Sequence, residues 1–453
     1  MSHSRRDFLV RSTCAALGAA AFQGTVRQFG LANLLAADAA SCSGGYKALV
    51  CILLGGGNDG NNMVIPYDTA NYNLYSAARP GLAISQASLT PMTNPPSMGG
   101  RQFAFHPNMS ALTNLFNTNK LAVVTNVGPL VDFMSQAEYM ANSVPKPFSL
   151  FSHSDQVQCW ETARPDIKVS SGWGGRTADV MAACNGTSTF PTLTSIAGAT
   201  TFCIGLAQRP LSIGTGALNT VLVLNGFSGS ATANARLASM NEVRDIDLIA
   251  SKMIAGAAGI TAQGVDVSSQ LNIPDPVITT FFPNTDIANQ LKQVAKLIMV
   301  NQGTPGLGMT RQVFFVNQGG YDTHQNQLAD QGNNLLELSE AMDAFYAATR
   351  DDIQLENSIT TFTLSDFART LQPSGSGTSI GSDHGWGNHQ FVMGGAVIGK
   401  DFYGNDNPLT GSKFPKLVLG AEDDTTSSGR GRWIPRTPVE EYGVGLVKWL
   451  GVT

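Results

Sequence analysis

Charge is scarce in this chain. Of 453 residues, only 13% are Asp, Glu, Lys or Arg, against a usual share of about 25%. The surface must therefore be built largely from Ser, Thr, Asn, Gln and Gly. With 28 basic and 33 acidic residues and a net charge of -5, there is no basic stripe, which argues against nucleic acid as a partner. No segment beyond the N-terminal region reaches eighteen consecutive apolar residues, so no permanent membrane span is expected. No GxSxG stands between an apolar strand run and a helix as a nucleophile elbow requires, and there is no P-loop, which removes the usual serine-hydrolase and NTPase readings. GGGNDG at 55–60 is not GxGxxG, so dinucleotide binding is not expected either. The six Cys fit no zinc-ribbon or CxxC spacing. Cys51 lies in an apolar run, as a buried thiol or in a bridge. One disulfide among Cys159, Cys184 and Cys203, or between one of them and Cys42, fits an oxidising compartment.

What is present begins at the N-terminus. Arg5 and Arg6 stand in S-R-R-D-F-L, followed by an Ala- and Gly-rich apolar run from about Cys14 to Phe22 and small residues at 36–40. This order predicts a twin-arginine signal peptide over 1–40, the twin-arginine translocase as a partner during export, and a periplasmic or extracellular location. That route carries folded proteins, so a metal site could be loaded before export. The remaining chain of about 410 residues is long enough for one large domain.

YKALVCILL at 46–54 and KLAVVTNV at 120–127 are continuous apolar runs, the pattern of strands buried on both faces of a parallel sheet. HPNMSALTNLFN before the second run has a helical stripe. A loop-rich insertion is expected over 128–230 and helix over 240–302. Strands are expected at 311–320, 358–364 and 391–397, and helices at 333–348 and the C-terminus. Strands alternating with helices predict an α/β fold, with a mostly parallel central sheet and helices on both faces, across a single domain at 41–453. Ligands bind such sheets at the carboxyl ends of the strands.

The chemistry gathers at those ends. Asp59 follows the first strand, Asp322 the third and Asp366 the fourth; Asp383 lies in GSDHGWGNH. An Asp beside Gly is commonly a turn former. The six His sharpen the case, because His324 is two residues from Asp322, His384 follows Asp383, His389 comes five later, and His153 sits beside Ser152, Ser154 and Asp155. Asp59, Asp322, His324, Asp366, Asp383, His384 and His389 are the candidate ligands. Mixed Asp and His donors suit zinc, manganese or iron better than calcium, as one or two divalent ions. Ser152 or Ser154 is the candidate metal-activated nucleophile, with His153 beside them. Arg369 offers a fork for phosphate or sulfate.

GGGNDGNNMVIPYD, LFSHSDQVQCWET, GWGGR, GGYDTHQNQ, TLSDFARTLQ and SDHGWGNHQFVMGGAVIG, behind the twin-arginine signal, resemble the bacterial exported family called domain of unknown function 1501. That family in turn resembles the alkaline phosphatase and sulfatase superfamily. The resemblance implies an alkaline-phosphatase-like fold with metal at the strand ends. Asp59 would match the first ligand, Ser152 or Ser154 the nucleophile, Asp322 and His324 an Asp/His pair, Asp366 the carboxylate of a second metal, and His384 a late ligand. Phe367 stands where the superfamily often has His.

Two functions are therefore expected: a metal-dependent hydrolase of phosphate or sulfate esters, or a non-catalytic exported protein that keeps the fold and binds a cell-surface polymer. A redox metalloenzyme is a third use of the same ligands. Replacing Arg5 and Arg6 by Lys is expected to trap the protein in the cytoplasm, as read by cell fractionation and immunoblotting.

Overall fold

The structure, a computed structural model, describes residues 40–221, 230–245 and 252–453. The expected signal peptide lies, apart from Ala40, outside the described residues. Nine strands form the central sheet: β1 (Lys47–Leu54), β2 (Leu121–Gly128), β3 (Leu193–Ser195), β4 (Leu211–Ser212), β5 (Arg311–Gln318), β6 (Ile359–Ser365), β7 (Asn388–Gly394), β8 (Phe402–Tyr403) and β9 (Thr437–Pro438). Their order is β8-β2-β7-β6-β1-β5-β3-β4, with β9 also against β2. β1 lies parallel between β5 and β6, and only β7 runs antiparallel to its neighbours β2 and β6. The fold is α/β with a mostly parallel sheet.

β1 shows why the apolar runs become central strands. Ala48, Val50, Ile52 and Leu54 enter one core, and Leu49, Cys51 and Leu53 enter the other. A strand with both faces buried needs apolar side chains at every position, and each large one contributes roughly 1.5–3 kcal/mol on burial. Helices α1 (Ser110–Asn117), α4 (Asp286–Gln302) and α5 (Gln327–Asp351) cover the first face. Helices α2 (His153–Thr162), α3 (Trp173–Met181) and α6 (Val439–Leu450) cover the second, with Trp160, Trp173, Tyr442 and Leu446 packed on the sheet.

Three local expectations shift. The strand expected at 391–397 is β7, three residues earlier, because the buried polar residues Asn388, His389 and Gln390 belong to it. Gln390 is accommodated by the Thr363 hydroxyl, which donates to its side-chain oxygen at 2.7 Å. The helical stretch at 240–302 is interrupted over 272–285, where Pro274, Pro276 and Pro283 remove donors and block helical continuation. The insertion at 128–230 holds α2, α3 and the strands β3 and β4, the last at the edge of the sheet, since packing of its Trp and Cys residues overrides a loop-like composition.

Cys42 and Cys184 form the disulfide, and Cys51, Cys159 and Cys203 are buried thiols. The bridge stands beside the start of the sheet. There the Arg311 side chain donates to the carbonyls of Ser41, Ser43 and Leu450 at 3.1, 2.8 and 2.6 Å, and Ala40 bridges Val452. No described helix is long and apolar enough to cross a membrane. The bridge spans 142 residues, for which chain entropy gives at most about 5 kcal/mol of stabilisation. The Cys42→Ala/Cys184→Ala double variant is expected to lose several kcal/mol in urea unfolding, and reductant should then have no further effect.

Candidate metal centre

The parallel neighbours β1, β5 and β6 end side by side, so their following loops meet. Gly56 lets them close up: it has φ +113°, and a Cβ there would lie 2.5 Å from the Asp322 backbone nitrogen. Only glycine tolerates both demands. The next contribution comes from a hairpin, Arg369–Ser374 against Gly381–His384, whose register sets His384 opposite Arg369. The last comes from α2, whose first residue is His153.

Four side chains converge. Asp322 Oδ1 lies 3.1 Å from His324 Nε2, 3.5 Å from His153 Nε2 and 3.6 Å from His384 Nε2. The two nitrogens His324 Nε2 and His384 Nε2 are 2.9 Å apart. Donor atoms of His153, Asp322 and His384 all lie within 4.8 Å of one another.

Hydrogen bonds on the far side of two rings set their tautomers. Asp366 Oδ2 accepts from His153 Nδ1 at 2.8 Å, while its Oδ1 accepts the Gly56 N–H at 3.0 Å. The Phe151 carbonyl accepts from His384 Nδ1 at 2.7 Å. Phe151 reaches that position with φ 72°, an uncommon backbone state for a bulky residue and one that concentrates at functional sites. Each neutral ring therefore carries its lone pair on Nε2. His153 Nε2 is buried with no hydrogen-bond partner. His324 Nδ1 stands 3.6 Å from Asp383 Oδ1, too long for a hydrogen bond but close enough for electrostatic pull. Phe367 is packed against both His384 and His153, with ring centroids at 4.5 and 4.7 Å.

Burial works to raise the Asp322 carboxyl, but the Arg369 hydrogen bond and the charges of Arg369, His153 and His324 outweigh it and hold it below the usual range. The hydrogen bond to Asp366 lifts His153, against its burial. Burial lowers His384, assisted by the neighbouring positive groups and opposed by the Phe151 carbonyl.

The other expected residues have different partners. Asp59 does not join the cluster: it is buried and paired with Arg79, and Gln327 Nε2 donates to its Oδ2 at 2.5 Å. A buried carboxylate so close to a guanidinium is already compensated. Asp366 orients His153 with both of its oxygens occupied. Asp383 pairs with Arg430. His389 is buried, stacked on Phe414 with centroids 4.6 Å apart, and its Nδ1 accepts the Asn126 N–H at 3.3 Å. Arg369 is fully buried rather than open to an anion. It donates to the carbonyls of Gly57, Gly56, Tyr321 and Ser382 at 2.9, 2.7, 3.1 and 3.1 Å, and also to Asp322. Ser152 donates to Asp155 Oδ2 at 3.0 Å, and Ser154 is exposed. Phe151 leaves no side-chain signal in the sequence, because its backbone carbonyl is what holds His384. Arg430 and Arg432 stand in GRGR at 429–432, where two cations alternating with glycines were the available clue.

Residues 307–414 match the sequence profile of the family described as "Protein of unknown function (DUF1501)". The span contains Asp322, His324, Asp366, Arg369, Asp383, His384 and His389, and bears out the family resemblance there. No curated protein matches the chain in sequence. Among solved structures, the chain is similar to the C-terminal periplasmic domain of EcEptC from Escherichia coli in complex with Zn, with 10% identity, TM-score 0.29, and 79% of this chain and 76% of that chain covered. It is also similar to the PsFucS1 sulfatase from Pseudoalteromonas sp., with 11% identity, TM-score 0.30, and 84% and 68% covered. A third is a TAB5 alkaline phosphatase mutant with Mg bound, with 10% identity, TM-score 0.24, and 79% and 94% covered.

Burial lowers His389 to about 3, against about 6.5 for a free imidazole. Its neutral form is the folded form, so its contribution is complete above about 6.5 and is lost as pH falls toward 3. Glu161 and Glu440, raised by burial to about 7, titrate with the opposite sign, so the difference between two proteins is the useful measurement. Urea midpoints from pH 8 to 5 are expected to fall more for the wild type than for His389→Gln.

Proposed function

We propose that this chain is an exported enzyme that uses a divalent metal to cleave or transfer an anionic ester group of the phosphate or sulfate kind. The observation that carries the reading is the buried, unpartnered Nε2 of His153, grouped with His384 Nε2 around Asp322 Oδ1. A buried polar atom without a partner is costly, and a metal ion satisfies a bare imidazole nitrogen directly. Donors at about 2.0–2.1 Å from a tetrahedral ion lie about 3.3 Å apart. The separations of 3.1, 3.5 and 3.6 Å from Asp322 to the three rings bracket that value. Neutral imidazoles with one carboxylate suit zinc or manganese.

His153, Asp322 and His384 would hold the ion, with His324 as a further donor. When bound, it would supply Lewis acidity and a more acidic water. Asp366 and the Phe151 carbonyl fix two rings with Nε2 inward, the outer support that metal-binding imidazoles usually have. Arg369 holds the Asp322 carboxylate ionised and fixed in direction. Phe367 excludes water from one side of the rings. Ser152 caps α2 and Ser154 lies in its first turn; one of these two hydroxyls is proposed to attack. Asp59, Asp383 and His389 have other partners, which supports one ion rather than two. The Cys42–Cys184 bridge supports passage to an oxidising compartment, in keeping with a periplasmic or extracellular location and a cell-surface polymer as one class of substrate. The route there is proposed to be the twin-arginine translocase.

One observation favours a non-catalytic binding protein instead. Arg369 already bonds Asp322 and brings its Nη1 to 3.4 Å from His324 Nε2, so the cluster has a positive neighbour without any metal. Metal analysis separates the two readings. The enzyme reading expects about one zinc or manganese per chain, turnover of aryl phosphates or aryl sulfates, and loss of both in His153→Ala and His384→Ala but not in His389→Ala. Metal-free protein with no turnover would sink it.

A further inference from the structure

Arg369, the cation expected to meet an anion, has its donors engaged inside the fold. Arg430 is similarly committed: it pairs with Asp383, and donates from Nε to Gln372 Oε1 at 3.1 Å and from Nη2 to the Pro373 carbonyl at 3.2 Å. Lys168 is paired with Asp155. Arg432 differs. Its Nε donates to the His384 carbonyl at 2.8 Å, and its guanidinium lies 4.3 Å over the Phe151 ring. Among the described residues, neither Nη1 nor Nη2 of Arg432 has a hydrogen-bond partner, and no carboxylate pairs with it. Its side chain is half-buried.

Both anchors adjoin the metal cluster. Phe151 supplies the carbonyl that fixes His384, and His384 supplies the carbonyl that fixes Arg432. The Arg432 guanidinium is thus held in direction by residues that also set a metal-binding ring, while its two outer amino groups stay available. A planar fork with two unspent donors matches two oxygens of a phosphate-type anion, which a point charge does not. We propose that Arg432 is the anion-recognition residue of this site, selecting substrates that carry a second anionic oxygen beside the one at the His/Asp cluster. The proposal rests on the metal-site reading for its location, but the anion binding it claims can be measured separately.

The probe is inorganic phosphate, titrated calorimetrically into the full chain with and without added zinc, alongside zinc content and urea midpoint. Arg432→Ala is expected to weaken phosphate binding by about tenfold or more, with zinc content unchanged. Arg432→Lys, which keeps charge and stem but not the fork, is expected to fall between. Phosphate binding undiminished in Arg432→Ala overturns the proposal while leaving the metal reading intact. Should Arg432→Ala lower the urea midpoint sharply, Arg432→Lys decides: wild-type phosphate affinity in it overturns the proposal. Arg432-dependent phosphate binding in a protein that takes up no zinc supports the anion site and removes the metal reading. No phosphate binding by the wild type in either condition overturns the proposal.

Discussion

The buried guanidinium of Arg369 is the constraint on which the functional end of the molecule depends. Gly56 and Gly57 follow β1, Tyr321 and Asp322 follow β5, and Ser382 lies in the hairpin; one side chain donates to all three segments. Guanidinium suits this task because its donors are fixed in a plane and its charge is never lost. Burying it without those acceptors would be very costly, so the loops are held by the need to satisfy it. The Asp322 carboxylate is aimed and kept ionised as part of the same arrangement. A residue that could have met a ligand has become the frame around the ligand's position.

Much of this architecture was legible from periodicity. The runs at 46–54 and 120–127 read as strands buried on both faces because they are short, rich in Val, Ile and Leu, and followed by glycine. β7 was harder because Asn388, His389 and Gln390 look like a loop until Thr363, Phe414 and Asn126 are seen beside them. The site divides in the same way. Asp322, His324 and His384 could be picked out because they are scarce residue types beside glycine at strand ends. Asp59 had an identical local signature, yet Arg79, twenty residues later, makes it structural. Short motifs do not encode a partner brought in by folding. His153 was noticed beside two serines, but the ring rather than a hydroxyl is what reaches the cluster.

Low charge in the sequence takes on a specific meaning here. Some of the few ionic groups are buried and tied down: Arg79 is paired with Asp59, Arg369 holds the half-exposed Asp322, and Arg311 is bonded to the backbone at the start of the sheet. These buried cations fix loops and chain ends. This agrees with cores on both sides of one sheet, where the irregular connections contain the backbone groups that most need partners.

The tie at the other end of the sheet has a separate consequence. Ala40, the Cys42–Cys184 bridge and the Arg311 clamp gather where β1 and β5 begin, and the His/Asp cluster lies where they finish. Eight residues of strand span roughly 25 Å. Whatever the chain carries ahead of Ala40 is thus attached at the back of the molecule, and its mouth faces the other way. A leash, a fusion or an immobilising surface at that end would leave the approach for ligands open.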